Sequence, residues 1–238
     1  MIPKKIIKLV QTEKPIAKLV TKFGGQPTWI TQPEWPISRA TKNPMRFICQ
    51  IALDDEIIGG LSGSMAFVFT SDYSPEISEW SQESGEAAVI IQPLGCLSQD
   101  LETGPIENGP SLFRITKGKR KLLFRKKVRT SCEYAVETIR DEDPDSIDIF
   151  ESLSMEKKLS QDHLDGNKIG GIPAIMYDIP FSTSEIWNTK STPQDHKWRF
   201  IMQIDQTQDT YRIDFENLSI GYLFVSHDFS EGLIDWHA

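Results

Sequence analysis

Met45-Arg46-Phe47-Ile48-Cys49-Gln50-Ile51 returns late in the chain as Trp198-Arg199-Phe200-Ile201-Met202-Gln203-Ile204, and this return decides how the 238 residues are read. Period-two alternation places Phe47, Cys49 and Ile51 on one strand face and Ile48 and Gln50 on the other; Phe200, Met202 and Ile204 face away from Ile201 and Gln203 in the same way. Each copy reads as a strand that is apolar on both sides and therefore buried.

Working outward, the pairing continues in both directions. Lys22-Phe23-Gly24-Gly25-Gln26-Pro27 matches Lys168-Ile169-Gly170-Gly171-Ile172-Pro173, and Phe67-Val68-Phe69-Thr70-Ser71 matches Tyr222-Leu223-Phe224-Val225-Ser226. Asp72-Tyr73-Ser74 then matches Asp228-Phe229-Ser230, and Trp80 matches Trp236. Landmarks in one order with slowly drifting offsets indicate a duplication, with repeat one at about 22–80, an insert at 81–167 and repeat two at about 168–236. Two copies are too few for a solenoid, so a single domain over 1–238 is expected, its halves related by a pseudo-two-fold axis. The predicted class is α+β: sheet-rich, with a few short helices. One or two of these fall within residues 1–21, where Ile6, Leu9, Val10, Ile16, Leu19 and Val20 follow helical spacing broken by Pro15, and another over 154–164.

Charge is unevenly placed within the insert. The chain carries a net −8, yet Arg114 to Arg129 holds nine basic residues and no acidic one, leaving 17 basic against 34 acidic residues elsewhere, a balance of −17. Leu112 to Thr116 and Lys121 to Val128 read as two strands joined at Lys117-Gly118-Lys119-Arg120, a basic patch of Lys117, Lys119, Arg120, Lys121, Arg125, Lys126 and Lys127. Such a hairpin can contact phosphates, but lysine-rich strands also protect sheet edges, and the acidic run from Glu133 to Asp148 offers it a partner. The proline-broken part of that run, Asp141 to Asp148, reads as exposed.

The ligand-binding candidates are Gly24, Gly25, Gln50, Gly170, Gly171 and Gln203. Paired glycines adopt positive φ and can cradle an anion with their amides, or simply turn the chain. A buried glutamine must bond, either to neighbouring backbone or to something held in a cleft between the halves. No nucleotide-loop, zinc-finger, H-E-x-x-H or G-x-S-x-G spacing occurs, so no catalytic residue, metal ligand or cofactor is assigned. The cysteines, Cys49, Cys96 and Cys132, are odd in number and widely spaced, which reads as reduced structural thiols. The longest apolar runs, Met65 to Phe69 and Ala87 to Ile91, are far short of a bilayer span, and no secretory h-region follows the first residues, so a cytoplasmic setting is expected.

Lys22-Phe23-Gly24-Gly25-Gln26-Pro27, Trp35-Pro36, Pro44-Met45-Arg46-Phe47-Ile48-Cys49-Gln50-Ile51 and the Lys-Ile-Gly-Gly-Ile-Pro return together resemble the YwqG-like family of bacterial proteins, a family of unknown function. The resemblance covers both repeats. It implies a compact α+β, sheet-rich fold in a bacterial cytosol and brings no activity with it. Some relatives place a cysteine pair where this chain has Ile37 to Asn43, so no metal knuckle is expected there, and Phe215-Glu216-Asn217 stands where many relatives have Trp-Gly-Asp. An acidic, duplicated scaffold without a clustered nucleophile, base or metal set suits a non-catalytic protein-binding role with a basic partner. Toxin-neutralising immunity proteins are one class with this profile. The alternative is a hydrolase or small-ligand protein using the cleft between the repeats. Neither membrane nor nucleic-acid binding is expected.

Overall fold

The structure is a computed structural model that describes residues 2–53, 56–58, 63–79, 81–97, 100–121, 124–143, 166–174, 186–187, 198–205 and 220–237. These residues form strands β1 (Ile2–Gln11), β2 (Lys22–Gly24), β3 (Trp35–Pro36), β4 (Arg46–Ala52), β5 (Met65–Thr70), β6 (Ala87–Gln92), β7 (Cys96–Leu97), β8 (Thr103–Gly104), β9 (Phe113–Lys121), β10 (Phe124–Ser131), β11 (Glu133–Asp143), β12 (Lys168–Gly170), β13 (Ile186–Trp187), β14 (Trp198–Asp205), β15 (Ile220–Ser226) and β16 (Gly232–His237). No helix occurs among them, which corrects the expected α+β class to an all-sheet one. Residues 1–21, read above as helical, form β1 over their first half. Pairing along the whole of β11 and against β12 outweighs the helical spacing of Ile6, Leu9 and Val10. The helix expected over 154–164 and the landmark Trp80 lie outside the described residues.

One 12-stranded sheet runs in the order β16-β15-β14-β12-β1-β11-β2-β4-β5-β6-β7, with β13 beside β14. The two repeats sit on either side of the central β1–β11 ladder. β12 joins β1 by pairing Lys4 with Gly170, just as β2 joins β11 by pairing Glu133 with Gly24. The long antiparallel β1–β11 ladder therefore carries the pseudo-two-fold relation, and β1 and β11 occupy equivalent places.

The repeats agree in register and in their irregularity. Phe67 lies opposite Gln50 and Tyr222 opposite Gln203, and both β4–β5 and β14–β15 carry a register shift at the same point, between Phe47 and Cys49 and between Phe200 and Met202. This bulge corrects the simple alternation. Phe47 faces one apolar cluster with Phe67 and Phe69, while Ile48, Cys49 and Ile51 all face the main core. Ile201, Met202 and Ile204 do the same in the second copy, with Phe200, Tyr222 and Phe224 on the other side. All these side chains are buried.

The last tryptophan match fails. Trp236 lies opposite Gly221, whose counterpart Ala66 lies opposite Ile91, so β16 is the equivalent of β6 rather than of the chain around Trp80. The hydrogen bonds agree with this: Ser71 N–H donates to Glu86 O at 2.8 Å and Ser226 N–H to Glu231 O at 2.8 Å. Repeat one simply has the longer β5–β6 connection and extends through Gln92.

The sheet curls until its two copies meet in a nearly closed barrel. Gly232 of β16 sits directly against Val89 of β6, and Gln82 bridges to β16, donating to Gly232 O at 2.8 Å and accepting from Ile234 N–H at 2.9 Å. The interior is filled from both halves by Ile7, Phe23, Cys49, Val68, Val89, Ile169, Met202, Leu223 and Ile234. Burial pushes the thiols of Cys49 and Cys132 up, and neither is in a disulfide. Native protein is expected to leave both unreactive toward an aromatic disulfide reagent and denatured protein to expose them; prompt native reaction of either would contradict this packing.

Candidate functional site

The paired Gly-Gly-x-Pro turns and the paired glutamines meet in one repeated arrangement. Lys22 lies opposite Gln50 and Lys168 opposite Gln203. Gln50 Oε1 accepts from Thr28 N–H at 2.8 Å while its Nε2 donates to Lys18 O and Val20 O. Gln203 Oε1 accepts from Ala174 N–H at 2.8 Å and its Nε2 donates to Gly166 O at 2.9 Å. Each glutamine thus ties the segment before its glycine turn to the segment after it. Gln50→Leu and Gln203→Leu are each expected to cost about 1–3 kcal/mol, because the bonded backbone groups lose their partner. Denaturant midpoints measure this, and a near-neutral effect at either position would break the equivalence.

The turn amides are also engaged. Gly25 N–H donates to Cys132 O at 3.0 Å and Gly171 N–H to Pro3 O at 3.1 Å. All four glycines have positive φ, from +66° at Gly24 to +75° at Gly171.

Beside each turn lies a buried ionic cluster that sequence reading missed. In the first copy Lys22 Nζ donates to Glu133 Oε1 at 2.8 Å, Ile16 O at 2.6 Å and Gln26 O at 2.7 Å, and Glu133 also accepts from Ile16 N–H. In the second copy the place of Glu133 is taken by Lys4, so two lysines meet. Asp143, at the far end of β11, lies 2.5 Å from Lys4 and 3.4 Å from Lys168 and accepts from Ile172 N–H at 2.8 Å. Asp143 is 0% exposed, which corrects its reading as part of an exposed acidic loop. The lysine before each Gly-Gly was visible in the sequence, but Glu133 is 111 residues from Lys22, and Asp143, 25 residues from Lys168, is 139 from Lys4. No local pattern reports such a pair.

A cavity of about 450 Å³ opens beside the first turn, lined by Pro15, Gly25, Thr28, Ser131, Cys132 and Glu133 among others. It lies between repeat one and the base of the basic hairpin. At that base Leu112 and Cys132 are buried and bonded, Cys132 N–H to Leu112 O at 3.0 Å, against Gly24. Phe113 sits between the guanidiniums of Arg129 and Arg46, at 4.4 and 5.5 Å, and Asp72 pairs with both arginines at 3.3 Å.

The hairpin itself differs from expectation in two ways. Strand β9 continues through Lys117, Gly118, Lys119 and Arg120 to Lys121, which lies opposite Phe124, so those residues are ladder rather than turn. Of the basic-patch residues, Lys127 is exposed, and Arg125 and Lys126 lie on β10. The strands form a sheet of their own, and the acidic residues that follow lie on β11 against β1, with Lys8 opposite Glu137 and Lys4 opposite Asp141. Ile115 and Val128 are more than 40% exposed, so these two apolar side chains of the arm are not covered.

Among the described residues, the charged side chains of Arg199 and Asp228 have shifted titration. Burial lowers Arg199, the counterpart of Arg46, to about 10. Asp228 is lowered to about 2, first by the Ser230 hydroxyl and then by Ser230 N–H and the Ser226 hydroxyl. Because the folded value is depressed, its contribution is present above the ordinary carboxylate value of about 4 and is lost as pH falls toward about 2. Asp228→Asn is therefore expected to flatten the acid limb of the stability profile over that window, and an unchanged limb would argue against the Ser226–Asp228–Ser230 turn.

Among the described residues no group of three or more histidine, cysteine, aspartate or glutamate side chains is placed to hold a metal ion, and His163 and His196 lie outside them. Likewise no described helix is long and apolar enough to cross a membrane. Among curated proteins none matches the chain. The model of a family described as a domain of unknown function, DUF1963, matches residues 21–231, and the chain belongs to that family.

Proposed function

We propose that this protein is a non-catalytic, protein-binding scaffold of the YwqG-like type, working in a bacterial cytoplasm on a basic protein partner, with toxin neutralisation as the specific form of that role. The observation that carries this reading is the use of the polar groups at the candidate ligand positions. Gln50, Gln203 and the Gly25 and Gly171 amides bond the chain's own backbone, and side chains from both repeats fill the space between them. Recognition then falls to the outer surface and its connections, where the acidic excess lies.

The cavity beside Gly25 favours a second reading, a small-ligand or hydrolytic site, since its volume lies within the ~300–1,000 Å³ range of ligand pockets. It would replace the cleft between the repeats as the place of binding.

Affinity capture from the native cell, followed by reconstitution from purified components, separates the two. The binding reading expects a stoichiometric complex with a basic protein that weakens as salt rises and, for the immunity form, a partner that is toxic when expressed alone. No reconstituted complex, together with turnover in a broad hydrolase panel that is lost on blocking the cavity at Thr28, would overturn it.

A further inference from the structure

We propose that the cavity beside Gly25 binds a primary ammonium group carried on an aliphatic stem, with Glu133 Oε2 as its acceptor. The inference deepens the small-ligand reading of this cavity and rests on it.

Its first ground is a carboxylate oxygen. Glu133 is 9% exposed and lines the cavity. Its Oε1 accepts from Lys22 Nζ at 2.8 Å and from Ile16 N–H at 3.1 Å, whereas Oε2 accepts from none of the described residues. Lys22 cannot serve Oε2 without giving up another bond. Its ammonium group has three donors, and Glu133 Oε1, Ile16 O and Gln26 O take all three. A carboxylate oxygen held this deep is stabilised by a further donor, most strongly by a charged one.

The second ground is the other repeat, which shows what kind of donor the fold accepts. Lys4 stands at the place of Glu133, pairing with Gly170 as Glu133 pairs with Gly24. The two carboxylates nevertheless lie over equivalent glycines: a Cβ on Gly25 would collide with the carboxyl group of Glu133, and one on Gly171 with Asp143 Oδ2. Around Asp143 each oxygen meets an ammonium group, Oδ1 that of Lys4 at 2.5 Å and Oδ2 that of Lys168 at 3.4 Å. Lys168 corresponds to Lys22. One buried carboxylate thus holds two ammonium groups in repeat two, and in repeat one the described residues supply Glu133 with only the first.

The third ground is the cavity itself. Pro15, Ile16, Ala17 and Pro27 line it and offer apolar contact to a stem, and about 450 Å³ is room for a small molecule. A bare divalent ion would need several oxygen ligands, and no group of three acidic, histidine or cysteine side chains is placed to supply them among the described residues. Lys14 is exposed and also lines the cavity, as a like charge toward the guest.

The test is titration of the full-length, ¹⁵N-labelled chain with butylamine, butanol and butyrate, followed by NMR near neutral pH at matched ionic strength. Butylamine is expected to shift the amides of Ile16, Gly25 and Thr28 saturably, with a Kd of about 1–10 mM, and to bind at least about tenfold tighter than butanol or butyrate. Lys14→Gln should tighten butylamine by about two- to fivefold by removing the like charge. Glu133→Gln should abolish the shifts; if that variant does not fold, the comparison with butanol and the Lys14→Gln result decide. Nα-acetyl-lysine methylamide separates two sources of the same group. Tighter binding than butylamine supports a lysine side chain of the basic partner as the occupant, and weaker binding supports a free amine. Butanol binding as tightly as butylamine overturns the ammonium assignment while leaving the small-ligand reading in place. Shifts that Glu133→Gln retains, or no shift with either amine at about 50 mM, overturn the proposal as well.

Discussion

Asp143→Ala is expected to destabilise the protein by about 3–5 kcal/mol, because it removes the buried carboxylate shared by two buried ammonium groups. Lys4 and Lys168 are 4% and 1% exposed, and Asp143 contacts both. The same change deprives Ile172 N–H of its acceptor, which loosens the chain leaving the second glycine turn. The effect should come from charge rather than volume. Converting Lys4 and Lys168 to methionine in the Asp143→Ala background is therefore expected to recover much of the loss, since a buried ionic group can be exchanged for apolar side chains of similar size at little cost. Urea midpoints of the single and triple variants decide the matter. Equal instability in both would mean that packing, not the imbalance of buried charge, sets the penalty.

Gly24→Ala should be nearly as damaging for a different reason. Gly24 has φ +66°, and an added Cβ would overlap the Cys132 carbonyl oxygen and sit 3.1 Å from Leu112 Cβ, both at the root of the basic arm. Neither neighbour is a flexible side-chain end, so relief requires moving the arm's attachment. Gly63 supplies the control: its φ is +79° and nothing lies within 4 Å of an added Cβ. Gly63→Ala then reports the left-handed backbone cost alone, about 1–2 kcal/mol, and Gly24→Ala should exceed it by about 2 kcal/mol or more. Equal losses at the two positions would remove the argument that Gly24 seats the arm.

The duplication was legible because its strands keep residue identity. Arg-Phe-Ile-x-Gln-Ile is buried on both faces and bulged at the same point, so few substitutions fit in either copy. The candidate glutamines and glycines were found for the same reason. What their polar groups bond depends on Thr28, Ala174, Val20 and Gly166, which have no residue type in common within either matched pair. The helical reading of residues 1–21 failed because strand β1 is fixed by partners more than 120 residues away, and a strand with charged residues between its aliphatic ones leaves no clean period of two. The exposed reading of Asp143 failed likewise: an acidic residue beside a proline looks solvated until Lys4 is placed next to it. The Trp80 match was an accident of a longer β5–β6 connection, which shifted the alignment without shifting the strands.

The family match begins at residue 21, after β1, yet β1 is the strand through which the second repeat reaches β11. The account rests on this ladder: two like halves become one sheet because β1 and β11 stand at equivalent places between them. The most direct test is equilibrium unfolding of a chain lacking residues 1–11, followed by tryptophan fluorescence and far-ultraviolet circular dichroism together. With β1 gone, β12 loses one of its two neighbours, the one that joins it to β11, and Asp143 one of its two lysines, so the account predicts no single cooperative transition, with at least one half unfolded in buffer. A truncated chain that unfolds in one transition near the wild-type midpoint would contradict it.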